Sequence, residues 1–90
     1  MTAAHDPQYI ELIARLRNVR RAKKLSQKEF GDLINKPQSF VSNYERGQRR
    51  IDVLELLRIV EALKGDAQAV FADIVAGRNR AKSAMGRRRG

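Results

Sequence analysis

Ser26-Gln27-Lys28-Glu29-Phe30-Gly31-Asp32-Leu33-Ile34-Asn35-Lys36-Pro37-Gln38-Ser39-Phe40-Val41-Ser42-Asn43-Tyr44-Glu45-Arg46-Gly47 is the stretch whose reading decides the fold. Ser26 followed three residues later by Glu29 forms a capping box: the hydroxyl accepts from an unpaired N–H of the first turn, and the carboxylate reaches back to the cap. The helix it opens runs to about Ile34. Asn35 tolerates a left-handed backbone, and Pro37 cannot continue a helix but suits the start of another. A second short helix follows from about Gln38 to Glu45, with Gly47 as its C-terminal stop.

The flanking sequence is also helical. Asp6-Pro7 places a cap and a first-turn proline ahead of Ile10, Ile13, Leu16 and Val19, so a helix runs to about Lys23. Beyond the basic loop Gln48-Arg49-Arg50, Asp52 and Glu55 make a second capping-box start for a helix carrying Leu54, Leu57, Val60 and Leu63. Gly65-Asp66 ends that helix and caps a fifth, which carries Val70, Phe71, Ile74 and Val75. There is no strand signal and no internal repeat. The expectation is an all-α domain of five helices over residues 6–76. Residues 77–90 differ in chemistry: Arg78, Arg80, Lys82, Arg87, Arg88 and Arg89 carry +6 with no acid, and the few apolar side chains bury too little surface to offset ordering. They read as a basic arm, disordered when free.

Composition narrows the function classes. The 90 residues hold 19 Lys+Arg against 10 Asp+Glu, a formal charge of +9, which favours a polyanionic partner, nucleic acid first among them. With no cysteine there is no disulfide framework, thiolate zinc site or cysteine nucleophile. His5 has no second histidine beside it, so no metal ligand set is expected. Four serines and one flanking histidine do not suggest a nucleophile and base, and no glycine-rich phosphate loop is present, so neither enzyme nor cofactor is expected. No segment approaches the roughly 20 apolar residues of a membrane span, and the polar start does not resemble an export signal. A cytoplasmic protein is the expectation.

Two short helices joined by a three-residue turn have helix-turn-helix geometry. At 100° per residue, Gln38, Ser39, Ser42, Asn43 and Arg46 share one side of the helix that begins at Gln38, while Phe40, Val41 and Tyr44 share the other. The polar side holds no carboxylate. Its amides and hydroxyls can donate to and accept from base edges, Gln or Asn matching the N6/N7 pair of adenine.

These residues, from Ser26-Gln27-Lys28-Glu29-Phe30-Gly31 through Gln38-Ser39-Phe40-Val41-Ser42-Asn43-Tyr44-Glu45-Arg46-Gly47, closely resemble the phage-repressor and Cro-type helix-turn-helix family, the XRE family. The resemblance covers residues 9 to 75 and implies a lambda-repressor-like domain whose helix at 38–45 enters the major groove of double-stranded DNA. It implies that Gln38, Ser39, Ser42 and Asn43 read bases. Gln27 would bond a phosphate and steady Gln38, Arg46, Arg49 and Arg50 would hold phosphates, and Arg20 would pair with Glu45. Three positions depart from the family pattern: Asn35 stands where a turn glycine is usual, Lys36 where an apolar residue is usual, and Pro37 where a hydroxyl cap is usual. Gly31 occupies a small-residue position, usually alanine, that lets the two helices approach.

One recognition helix reads few base pairs, so a homodimer on a palindromic operator is expected, acting as a repressor. Of the pairs Val70/Ile74 and Phe71/Val75, one should close the core and the other meet a partner; Val70, Phe71 and Ile74 are the dimer candidates. The other function class is an antitoxin-like or anti-activator component that binds a protein partner, with DNA binding secondary.

Overall fold

The computed structural model describes the backbone of residues 6–87 and the side chains of residues 6–80. Five helices follow in order: α1 (Pro7–Ala22), α2 (Gln27–Leu33), α3 (Gln38–Glu45), α4 (Val53–Ala62) and α5 (Ala67–Arg87). No strand occurs among the described residues. Each start has a local cause. The Asp6 carboxylate accepts from the Gln8 N–H. Both capping boxes form, Ser26 with Glu29 and Asp52 with Glu55. Asp66 Oδ1 accepts from the N–H groups of Gln68 and Ala69. Pro37 caps α3 without a side-chain hydrogen bond, and its fixed backbone sets the entry angle instead.

The turn between α2 and α3 is tight. Asn35 takes the left-handed conformation at φ 61°, and the Lys36 N–H donates to the Gly31 carbonyl at 2.8 Å. That closure brings the Lys36 carbonyl so near Gly31 that a Cβ there would stand 2.6 Å from it. Glycine is therefore required at position 31, where even alanine would force the turn to move.

Phe30, Ile34, Phe40, Val41 and Tyr44 of the α2–α3 unit pack with Ile13 and Leu16 of α1, Ile59, Val60 and Leu63 from α4 and its C-terminal end, and Val70 of α5. Phe40 and Tyr44 meet edge to face, ring centroids 5.4 Å apart. Burial pushes the Tyr44 phenol far above its ordinary pKa, with Glu45 adding to the effect.

Several core expectations are corrected. In α4 and its C-cap, Ile59, Val60 and Leu63 are buried and Leu56 is partly buried against them, whereas Leu54 and Leu57 are exposed. Val60 and Leu63 of the expected stripe are buried, and contact with Phe40 and α5 brings Leu56 and Ile59 inward in place of Leu54 and Leu57. Ile10 and Val19 of α1 also face outward. On α5, Val70 is buried and Ile74 packs against the core, while Phe71 and Val75 stay exposed. Val70 and Ile74 thus close the core within the single chain, and Phe71 is the dimer candidate left exposed.

The backbone of α5 runs on through residues 77–87. This stretch contains no proline and is rich in Ala, Arg and Lys, all strong helix formers. The junction is held by Gln8 Nε2, which donates to the Ile74 carbonyl at 2.6 Å. His5 and residues 88–90 lie outside the described residues.

Candidate nucleic-acid interface

The polar face of α3 is anchored from behind by a buried ion pair. Arg20 and Glu45 are each only 6% exposed. Arg20 Nε donates to Glu45 Oε2 at 2.7 Å and Nη2 to Oε1 at 3.0 Å, while Nη1 donates to the Leu25 carbonyl at 2.6 Å. This bidentate, charge-assisted arrangement ties α1 to the end of α3 and satisfies both charges.

From Glu45 the hydrogen bonds run outward to the surface. Gln27 Nε2 donates to Glu45 Oε1 at 3.1 Å, and Gln38 Nε2 donates to Gln27 Oε1 at 3.4 Å. Gln27 is half-buried at the start of α2 and Gln38 is exposed at the start of α3. A side chain at the surface is thereby oriented through Gln27 from a fixed buried carboxylate. Beside Gln38, Ser39 is exposed and Ser42 and Asn43 are half-buried. Arg46 Nη2 donates to Asn43 Oδ1 at 3.2 Å and to Gln48 Oε1 at 3.3 Å, so the last turn of the face is also ordered.

Arg49 is placed differently from Arg46. Its guanidinium lies 4.7 Å from the centre of the Phe40 ring and makes a bidentate pair with Glu55, Nη1–Oε1 and Nη2–Oε2 both 3.0 Å. Glu55 also accepts from the Asp52 N–H, closing the α4 capping box. The hydrogen bond from Arg49, followed by that from the Asp52 backbone, holds the Glu55 carboxyl below its ordinary 4.5, and Glu55 in turn raises the Arg49 pKa. Arg49 therefore braces the loop between α3 and α4. Lys36 lies 5.1 Å from the centre of the same Phe40 ring. Arg50 stacks over the Tyr9 ring at 5.4 Å, and the Tyr9 hydroxyl accepts from the Ile51 N–H at 3.2 Å. The Tyr9 and Glu55 contacts with the loop have no signal in local sequence, since the partners are 42 and 6 residues apart.

The structure thus brings Gln27, Gln38, Ser39, Ser42, Asn43 and Arg46 onto one region, with Arg49 and Arg50 along its edge. Among the described residues no cluster of His, Cys, Asp or Glu suits a metal ion, and no helix is long and apolar enough to cross a membrane.

A short α2, a tight turn and an α3 with an exposed carboxylate-free face define a helix-turn-helix DNA-binding domain. Residues 16–69 match the family model described as a helix-turn-helix. An XRE-family-like protein from Pseudomonas syringae pv. tomato is 33% identical at a TM-score of 0.74, the match covering 80% of this chain and 88% of that one. The restriction-modification controller protein C.AhdI from Aeromonas hydrophila is 32% identical at a TM-score of 0.63, covering 69% of this chain and 94% of that one. The clp gene regulator ClgR from Corynebacterium glutamicum, 21% identical with a TM-score of 0.65 over 89% of this chain and 87% of its own, shares the fold. A comparison with curated proteins finds no match. The chain belongs to the XRE family of helix-turn-helix proteins. It is a DNA-binding transcription regulator and not an enzyme.

Proposed function

We propose that the protein is a homodimeric repressor that reads a palindromic operator, with one α3 in the major groove of each half-site. Gln38 and Ser39 meet base edges first, Ser42 and Asn43 follow along the helix, and Gln27 and Arg46 fix the register on phosphates. Arg50 adds a phosphate contact, and Arg49 reaches one only by exchanging Glu55 for it. The observation that carries this reading is the hydrogen-bonded line Arg20–Glu45–Gln27–Gln38, which orients a base-reading amide before DNA arrives. An ordered donor loses less conformational freedom on binding than a mobile one.

The second protomer is assigned to the α4–α5 face. Val53, Leu57 and Phe71 line an apolar groove of about 300 Å³ there, with Phe71 64% exposed. A contiguous exposed apolar surface of this kind marks an interaction site. A copy of the same chain suits it because two recognition helices are needed to read two half-sites. Residues 77–90 are read as a basic extension that adds phosphate neutralisation without choosing sequence, since they hold six cations and no acid.

Selection of bound sites from random double-stranded DNA tests this function. The expected product is a pair of inverted half-sites about one helical turn apart, bound by two protomers. Enrichment of a single asymmetric site, or of no site, contradicts it. Stable recovery of the chain with a different protein on the α4–α5 face would favour the antitoxin-like class instead.

A further inference from the structure

We propose that a groove between α1 and the end of α3 binds a DNA backbone phosphate, with Arg17 as its central donor. This rests on the DNA-reading function above and extends the contact surface from α2 and α3 onto α1. The groove has a volume of about 270 Å³ and is lined by Tyr9, Ile13, Arg17, Glu45, Arg46 and Gly47, among others.

Three features point to an anion of the phosphate class. First, Arg17 is half-buried, and its Nε has no solvent exposure and makes no hydrogen bond among the described residues. A buried donor left without an acceptor is costly, and a small rotation of the half-buried Arg17 side chain into the groove would let a phosphate oxygen satisfy it. Second, the charge around the groove is positive. Arg17 and Arg46 line it, and Arg50 stacks on Tyr9, which forms part of its wall. The one carboxylate on the wall, Glu45, is already engaged through Oε1 and Oε2 by Arg20, with Gln27 adding a bond to Oε1. Third, the groove opens next to the recognition helix: Arg46 is the C-terminal cap of α3, and Gly47 continues the chain past it. A phosphate flanking the bases read by Asn43 would lie beside Arg17.

A free phosphate and a phosphate of the DNA backbone share this chemistry, and the experiment separates them. Binding of wild type, Arg17→Gln, Arg17→Lys and Arg15→Gln to the selected site and to random DNA is measured across a salt series. Arg15 is the control because it lies across α1 and pairs with Asp73 at 3.1 Å. For Arg17→Gln the expected result is a loss of roughly eightfold at about 0.1 M salt, equal on both DNAs, with the slope of log affinity against log salt reduced by about 0.9. Arg17→Lys keeps the slope, and Arg15→Gln changes it less than Arg17→Gln does. An unchanged slope in Arg17→Gln, or equal changes in Arg17→Gln and Arg15→Gln, overturns the proposal while leaving α3 reading intact. Inorganic phosphate is titrated into the DNA-free protein as a second arm. Saturation of Arg17 at low millimolar phosphate, with DNA affinity unaffected by Arg17→Gln, would assign the groove to a small anion and overturn the backbone assignment. Absence of any site preference in the wild type would overturn both this proposal and the function it rests on.

Discussion

The α2–α3 unit and the α4–α5 face are finished in opposite ways. In the first, the buried charges of Arg20 and Glu45 have partners within the chain, and the α3 face left for another molecule is one of amides and hydroxyls. In the second, Val53, Leu57 and Phe71 remain exposed, although each is a side chain that burial would stabilise. The difference separates two kinds of recognition. A polar face that must discriminate between base pairs gains from being held rigid before contact. An apolar face that needs only a matching surface can be left open until a second chain covers it.

The largest effect should come from breaking the ion pair behind α3. Glu45→Ala leaves Arg20 buried and unpaired, and Arg20→Ala leaves Glu45 so, each costing about 3–5 kcal/mol of unfolding free energy in urea titrations. A double-mutant cycle should return a large coupling energy; independent effects would break the account of how α3 is held. Next comes Gly31→Ala. A helix interior would gain about 1 kcal/mol from alanine, but displacing the Lys36 carbonyl costs more, as overpacking typically does at about 1–3 kcal/mol. A net loss of stability is expected, and a more stable variant would show that the turn is not tight.

On the other face, Phe71→Ser should change monomer stability by less than about 0.5 kcal/mol, since the side chain is exposed. It should abolish the dimer in sedimentation and weaken operator binding. Val70→Asp, by contrast, should unfold the domain, because Val70 is only 8% exposed. If both variants stayed folded and dimeric, the face would have no role in assembly. The smallest effect belongs to Glu55. Its folded pKa is held below the unfolded one, so its contribution is present above about pH 4.5 and is lost as pH falls through the lowered value. Glu55→Gln should therefore flatten the fall of stability below pH 4.5, seen in acid titrations of helicity. An identical profile would mean that the Arg49 bridge does not form in solution.

Helix boundaries at α1 to α4 were legible because they rest on local signals: Asp6-Pro7, the two capping boxes, Asn35 and Gly47 each act within a few residues. The polar face of α3 was legible for the same reason, since one helix of known period sorts its own residues. The buried side of α4 was not, because Val53, Leu54, Leu56, Leu57, Ile59 and Val60 offer two apolar stripes and only packing against other helices chooses. The same limit applied to Val70 and Phe71, adjacent residues of which one is buried and one exposed. Arg49 and Arg50 looked alike as loop cations. Glu55, Phe40 and Tyr9 distinguish them, and those contacts exist only once the chain has folded.

The central claim is that α3 reads bases, with Gln38 the leading side chain, while the phosphate contacts around it supply sequence-independent affinity. Its most direct test is the affinity of wild type and Gln38→Ala for the selected operator and for random DNA at one fixed salt concentration. The account predicts that Gln38→Ala loses about 1–3 kcal/mol on the operator and almost nothing on random DNA. Equal losses on the two DNAs, or an unchanged affinity for the operator, would contradict it.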